Sequence, residues 1–159
     1  MDILAKLNDC LQNFIKKETW GSTGIKISNI DNPGWGIDIE IKNTYLEVND
    51  YSWISIEKSE NNWIDYQVNN GVFYARGGPF NLNEMFNLVF FGNICNNNNY
   101  IYESITFLEK WYFDNYDFEW GSGPIIDINS NKNGSWDFKI DFYDSKYCKL
   151  QKNDFNYKK

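Results

Sequence analysis

The residues of this sequence whose spacing suggests chemistry are acids and amides at alternating positions. Asp127, Asn129, Asn131 and Asn133 alternate as calcium-loop ligands do. However, the sixth position of such a loop, where glycine makes the sharp turn, is Lys132, and the twelfth, where glutamate closes the site, is Phe138. An asparagine-rich hairpin turn accounts for the run as well. Asp38 with Glu40, and Asp137 with Asp141, sit at even strand offsets and share a face, as the two carboxylates of a glycosidase must. Nothing around either pair reads as the apolar pocket that would raise one pKa and make it an acid. Cys10, Cys95 and Cys148 are far apart and include no C-x-x-C pair, and the chain has no histidine. Ser-His-Asp, Cys-His and zincin chemistry are therefore excluded. The expectation is a protein without catalytic residues, metal or cofactor.

Charge points toward a partner instead. Asp and Glu number 22 against 15 Lys and Arg, a net charge of −7, and the only arginine is Arg76. Phosphate binding draws on Lys and Arg, so this balance disfavours nucleic acid as a direct ligand and favours a basic protein. Residues 114 to 144 hold Asp114, Asp117, Glu119, Asp127, Asp137, Asp141 and Asp144 against Lys132 and Lys139, ahead of a lysine-rich end. The run reads either as a solvated face or as a docking surface. In the second reading Asp114, Asp117, Glu119, Asp137, Asp141 and Asp144 steer a partner, while Tyr112, Tyr116 and Tyr143 at the edge supply desolvated anchors. The odd, scattered cysteines suit reduced thiols in a cytoplasmic protein. The first residues lack the pattern of a signal peptide, and no stretch approaches a membrane span.

These side chains need elements to hold them. With 42% apolar residues, including 7 Trp, 11 Tyr and 12 Phe, the chain can bury a sizeable core. Ile3, Leu4, Leu7, Leu11, Phe14 and Ile15 predict an amphipathic helix over residues 2–17, ended by Gly21 and Gly24. Ile25 and Ile27, then Trp35, Ile37, Ile39 and Ile41, alternate with polar residues on either side of Asp31-Asn32-Pro33-Gly34, which predicts a hairpin with one buried face. Further strands are expected at 53–57, 63–68 and 71–76, the last two joined through Asn69-Asn70, completing an antiparallel meander. Gly77-Gly78-Pro79 reads as a strand-to-helix corner rather than a phosphate loop, because no Gly-x-x-x-x-Gly-Lys-Ser/Thr pattern is present. A second helix opens at Asn81-Leu82-Asn83-Glu84, a third covers about residues 100–115, and two alternating segments follow at 126–129 and 136–143. Trp20, Trp35, Trp111, Trp120 and Trp136 fall at inward positions and are expected in the core. The predicted fold class is α+β: an antiparallel twisted sheet covered on one face by about three helices.

The last region repeats the first. Trp20-Gly21-Ser22, Ile25-Lys26-Ile27 and Trp35 are echoed by Trp120-Gly121-Ser122, Ile126-Asp127-Ile128 and Trp136, each set following a predicted helix. The expected organisation is a helix, meander and helix over residues 1–95, with a partial helix-hairpin repeat over 100–159 packed into the same globule.

The first unit resembles the immunity protein 53 family of bacterial polymorphic-toxin antitoxins. The resemblance runs over residues 7–92. It is carried by Trp20, Gly24-Ile25-Lys26-Ile27, Asp31-Asn32-Pro33-Gly34-Trp35, Trp63-Ile64, Gly71-Val72-Phe73 and Gly77-Gly78-Pro79-Phe80-Asn81-Leu82. The second unit is similar to the family's opening at Leu108, Trp111-Tyr112 and Trp120. It departs from the pattern in having Lys132-Asn133-Gly134-Ser135-Trp136 and no Gly-Gly-Pro block. The resemblance implies a cytoplasmic protein that neutralises a toxin by binding it, the charge implies a basic toxin such as a nuclease, and the Asp31–Gly34 and Gly77–Pro79 blocks read as structural. The richness in aromatics leaves a second reading open, a non-catalytic carbohydrate-binding module.

Overall fold

A computed structural model describes residues 24–31, 33–44, 46–91, 103–131 and 134–142. The helix expected over residues 2–17 lies outside the described residues, as do Trp20, Asn32, Tyr143 and Asp144.

Alternation of isoleucine with polar residues forms β1 (Ile25–Ile30) and β2 (Gly34–Glu40), paired antiparallel across the Asp31–Gly34 turn. Three more strands follow, β3 (Tyr51–Ser59), β4 (Asn62–Asn69) and β5 (Val72–Gly77), then helices α1 (Leu82–Phe91) and α2 (Glu103–Asn115) and a closing hairpin, β6 (Ile125–Ser130) and β7 (Trp136–Asp141). All seven strands share one antiparallel sheet in the order β3-β4-β5-β2-β1-β6-β7. Two helices accompany it among the described residues, the second and third of those expected.

The simple meander is corrected at one point: β2 pairs with β5, not with β3. Composition gives the reason. β5 alternates buried Phe73 and Ala75 with partly exposed residues and suits a central position, whereas β3 is polar and exposed along most of its length and suits an edge. Two register irregularities in β3, between Tyr51 and Ile54 and between Glu57 and Ser59, break up the edge it presents. The β4–β5 turn centres on Asn70 and Gly71, one residue later than expected. Both have positive φ, 53° and 73°, the geometry of a two-residue hairpin turn that Asn-Gly favours.

One face of the sheet is the core face. Ile25, Ile27, Trp35, Ile37, Ile39, Ile64, Val68, Phe73 and Ala75 are buried there with Leu82, Met85 and Phe86 of α1 and Tyr112 of α2. No described element covers the opposite face. Cross-strand register lines up two rows on it: Asp65, Arg76, Gly36, Ser28, Asp127 and Lys139, and beside them Gln67, Tyr74, Asp38, Lys26, Asn129 and Asp137.

The two hairpins have matching registers. Asn29 faces Trp35 and Ile25 faces Ile39 in the first; Ser130 faces Trp136 and Ile126 faces Ile140 in the second, so that residue i answers to residue i + 101. Ile27 pairs with its own counterpart Ile128, while Lys26 and Ser28 pair with Asn129 and Asp127. The hairpins therefore meet about a local two-fold axis between Ile27 and Ile128.

Candidate functional site

The two glycine-proline blocks sit at one end of the sheet and tie it together. Trp35, fully buried, donates its indole N–H to the Pro79 carbonyl at 3.0 Å, linking the first hairpin to the corner after β5. Gly78 donates its backbone N–H to the Trp63 carbonyl, also at 3.0 Å. A Cβ on Gly78 would lie 2.4 Å from the Asn61 carbonyl oxygen, so only glycine permits this approach to the β3–β4 turn. Arg76 is likewise occupied: its Nη1 lies 2.7 Å from an Asp38 carboxylate oxygen and also donates to the Ile37 and Ala75 carbonyls.

The corner continues into α1 with an unusual cap. Asn81 holds the cap position, its carbonyl accepting from Met85 N, but its side-chain oxygen accepts from Trp63 N instead of from the helix. The free N–H groups of the first turn are met from α2: Glu109 accepts from the Asn83 backbone N–H and from Asn83 Nδ2, both at 3.1 Å. Burial pushes the Glu109 carboxyl above its usual range, although the Asn83 hydrogen bonds pull the other way.

Tyr112 is a correction. It is 1% exposed, stacks edge-on against Trp35 at 5.1 Å, and donates its hydroxyl to the Ile30 carbonyl at 3.3 Å. Burial pushes its pKa up to about 12. It belongs to the core and offers nothing to a partner. Trp120 is the opposite correction: expected in the core, it is 78% exposed. The cause is the tight turn around it, in which Asp117 and Ser122 form an isolated β-bridge and Asp117 Oδ1 accepts from the backbone N–H groups of Glu119 and Trp120. Trp35 is in the core as expected, and Trp111 and Trp136 pack against it partly buried.

The nominated acids separate into two groups. Asp114, Asp117 and Glu119 lie at the end of α2 and in the turn after it. Asp114 pairs with Lys110 at 2.8 Å, Asp117 holds the turn, and Glu119 is exposed with no side-chain partner among the described residues. Asp137 and Asp141 project from β7 on the face that no described element covers, opposite Asn129 and Ile125, whereas Trp136, Phe138 and Ile140 point to the core side. Tyr116 is partly buried beside Tyr112, with ring centroids 6.0 Å apart.

Between the sheet end and the turn lies a surface that sequence reasoning missed. Phe80 packs on Phe113 at 4.7 Å, Phe113 on Phe118 at 5.0 Å, and Phe118 on Tyr116 at 5.1 Å. Phe80, Phe118 and Trp120 nevertheless remain largely exposed. Beside them opens a cleft of about 580 Å³ lined by Pro33, Glu60, Asn61, Trp63, Tyr116 and Phe118. The signal available in the sequence was Tyr116-Asp117-Phe118-Glu119-Trp120, aromatics alternating with acids just before Gly121.

Among the described residues, no group of three or more His, Cys, Asp or Glu side chains is placed to hold a metal ion, and no helix is long and apolar enough to cross a membrane. Neither a curated protein nor a solved structure matches the chain. The family model described as Immunity protein 53 matches residues 4–94, a segment that contains the first hairpin, β3 to β5, the Gly77–Pro79 corner and α1. With more than half of its length matched, the chain belongs to the Immunity protein 53 family.

Proposed function

We propose that this protein neutralises a cognate bacterial toxin of a polymorphic-toxin system by binding it directly, without catalysis, in the cytoplasm. Membership of an immunity-protein family carries the reading. Two features of the surface support it. Exposed aromatics clustered around residues 116–120 are the side chains that dominate binding energy at protein interfaces. The net charge of −7, with Glu119, Asp137 and Asp141 on the surface of the second unit, favours a basic toxin, and a nuclease fits that description. Asp114, Asp117 and Tyr116 lie beside Glu119, at the end of α2 and in the turn after it. The second hairpin is a partial repeat of the first, a reading supported by the constant i + 101 register.

The test is co-expression with the toxin encoded beside this gene. Growth should be restored by this chain, and the two proteins should co-purify. Growth without any complex would refute neutralisation by binding.

A further inference from the structure

The aromatic cleft at the sheet end is unused by anything described so far, and its construction specifies what it can receive. One wall is Trp63, whose backbone is fixed on both sides: its N–H donates to Asn81 Oδ1 at 3.2 Å and its carbonyl accepts from Gly78 N at 3.0 Å. The other wall is Tyr116 and Phe118, held in the ring stack that runs back through Phe113 to Phe80 and through Tyr112 to Trp35. The Trp63 backbone and the Tyr116 and Phe118 rings are thus held by contacts within the fold, which lowers the entropy cost of binding. Glu60 stands at the rim, exposed, and its carboxylate makes no hydrogen bond or ion pair with a described residue. Glu119, next to Phe118 in the chain, is likewise exposed with no side-chain partner among the described residues. Lys58 of β3 and Lys110 of α2 are paired with Glu84 and Asp114.

Aromatic side chains beside a carboxylate that no described residue pairs attract one chemistry above others: a planar cation on an apolar stem. A guanidinium stacks on indole and phenyl rings and bonds a carboxylate through two N–H groups at once. Resting on the toxin-binding reading above, we propose that the cleft between Trp63 and Phe118 receives an arginine carried on a loop of the toxin, with Glu60 as its carboxylate partner. The occupant is a protein loop rather than a free small molecule because the cleft does not end at its walls: exposed Phe80, Phe118 and Trp120 extend it into an apolar rim that a protein surface would cover.

The experiment measures affinity for a catalytically inactivated form of the neighbouring toxin by calorimetry. It uses the full-length wild-type chain, Glu60→Gln, Phe118→Ala and, as a control, Glu103→Gln at the opposite end of α2. Glu60 and Phe118 are exposed, and thermal unfolding checks that each variant is folded. Glu60→Gln and Phe118→Ala should each weaken binding about tenfold or more, the range of interface hot spots, with Glu103→Gln unchanged. Binding within about threefold of wild type in both variants would overturn the cleft proposal while leaving neutralisation by binding intact. A loss in Phe118→Ala alone would also overturn it, because the cation would then have no carboxylate. Absence of any complex with the wild-type chain would overturn both readings.

Discussion

Glu109 of α2 accepts the backbone N–H of Asn83 in the first turn of α1 at 3.1 Å, so one helix supplies the cap of the other. The arrangement exists because Asn81, the residue at the cap position, has its side-chain oxygen committed to Trp63. Glu109 thereby joins the two helices, while the Asn81 side chain ties the start of α1 to the sheet end.

That carboxylate should make stability depend on pH. Its folded pKa is raised, so the folded state holds the proton more tightly than the unfolded chain, where glutamate titrates at about 4.3. The contribution favouring the fold is fully present below the unfolded value and is lost as pH rises through the folded one. Glu109→Gln lacks this titration. The stability of wild type relative to Glu109→Gln should therefore fall as pH is raised from 4 toward 7, read by urea denaturation at each pH. A difference independent of pH would mean that Glu109 titrates alike in both states.

Trp35 should be sensitive for a polar reason as well as an apolar one. Trp35→Phe leaves the buried Pro79 carbonyl without its donor, at a cost of about 1–3 kcal/mol, and removes ring volume from the core in addition. Chemical denaturation checks this. An unchanged midpoint would show that the corner does not depend on the indole N–H.

Gly78→Ala should destabilise by roughly 1–3 kcal/mol, because the new methyl meets backbone that can move only by displacing the β3–β4 turn. Asn61 of that turn also lines the cleft, so toxin affinity should fall along with the melting temperature.

Most strands and two of the helices were legible from local pattern. Isoleucine alternation located β2, and Asn81-Leu82-Asn83-Glu84 marked the start of α1, because both signals are set by neighbours in sequence. What failed was decided at long range, with one local exception at Trp120. Nothing near Tyr112 announces that Trp35, distant in sequence, will close over it. Trp120 repeats Trp20 in sequence, yet Asp117 caps a turn that points it outward. The placement of β5 beside β2 depends on the relative burial of whole strands. The cleft was invisible for the same reason, since Trp63 and Phe118 meet only across the finished fold.

Reversing charge on the outer face of β7 should act on association. Asp137→Lys combined with Asp141→Lys should slow binding of the toxin severalfold at low salt and much less at high salt, because steering is screened over about 10 Å at 0.1 M ionic strength. Stopped-flow fluorescence across a salt series reads this. A rate constant unchanged at every salt concentration would remove β7 from the encounter surface.

Neutralisation by stoichiometric contact is read from a titration of purified toxin with this purified chain. Toxin activity should fall in proportion to added protein and reach its floor at a fixed molar ratio, with no cofactor required. Loss of toxin activity at amounts far below that of the toxin, increasing with time, would reveal a catalyst and contradict it.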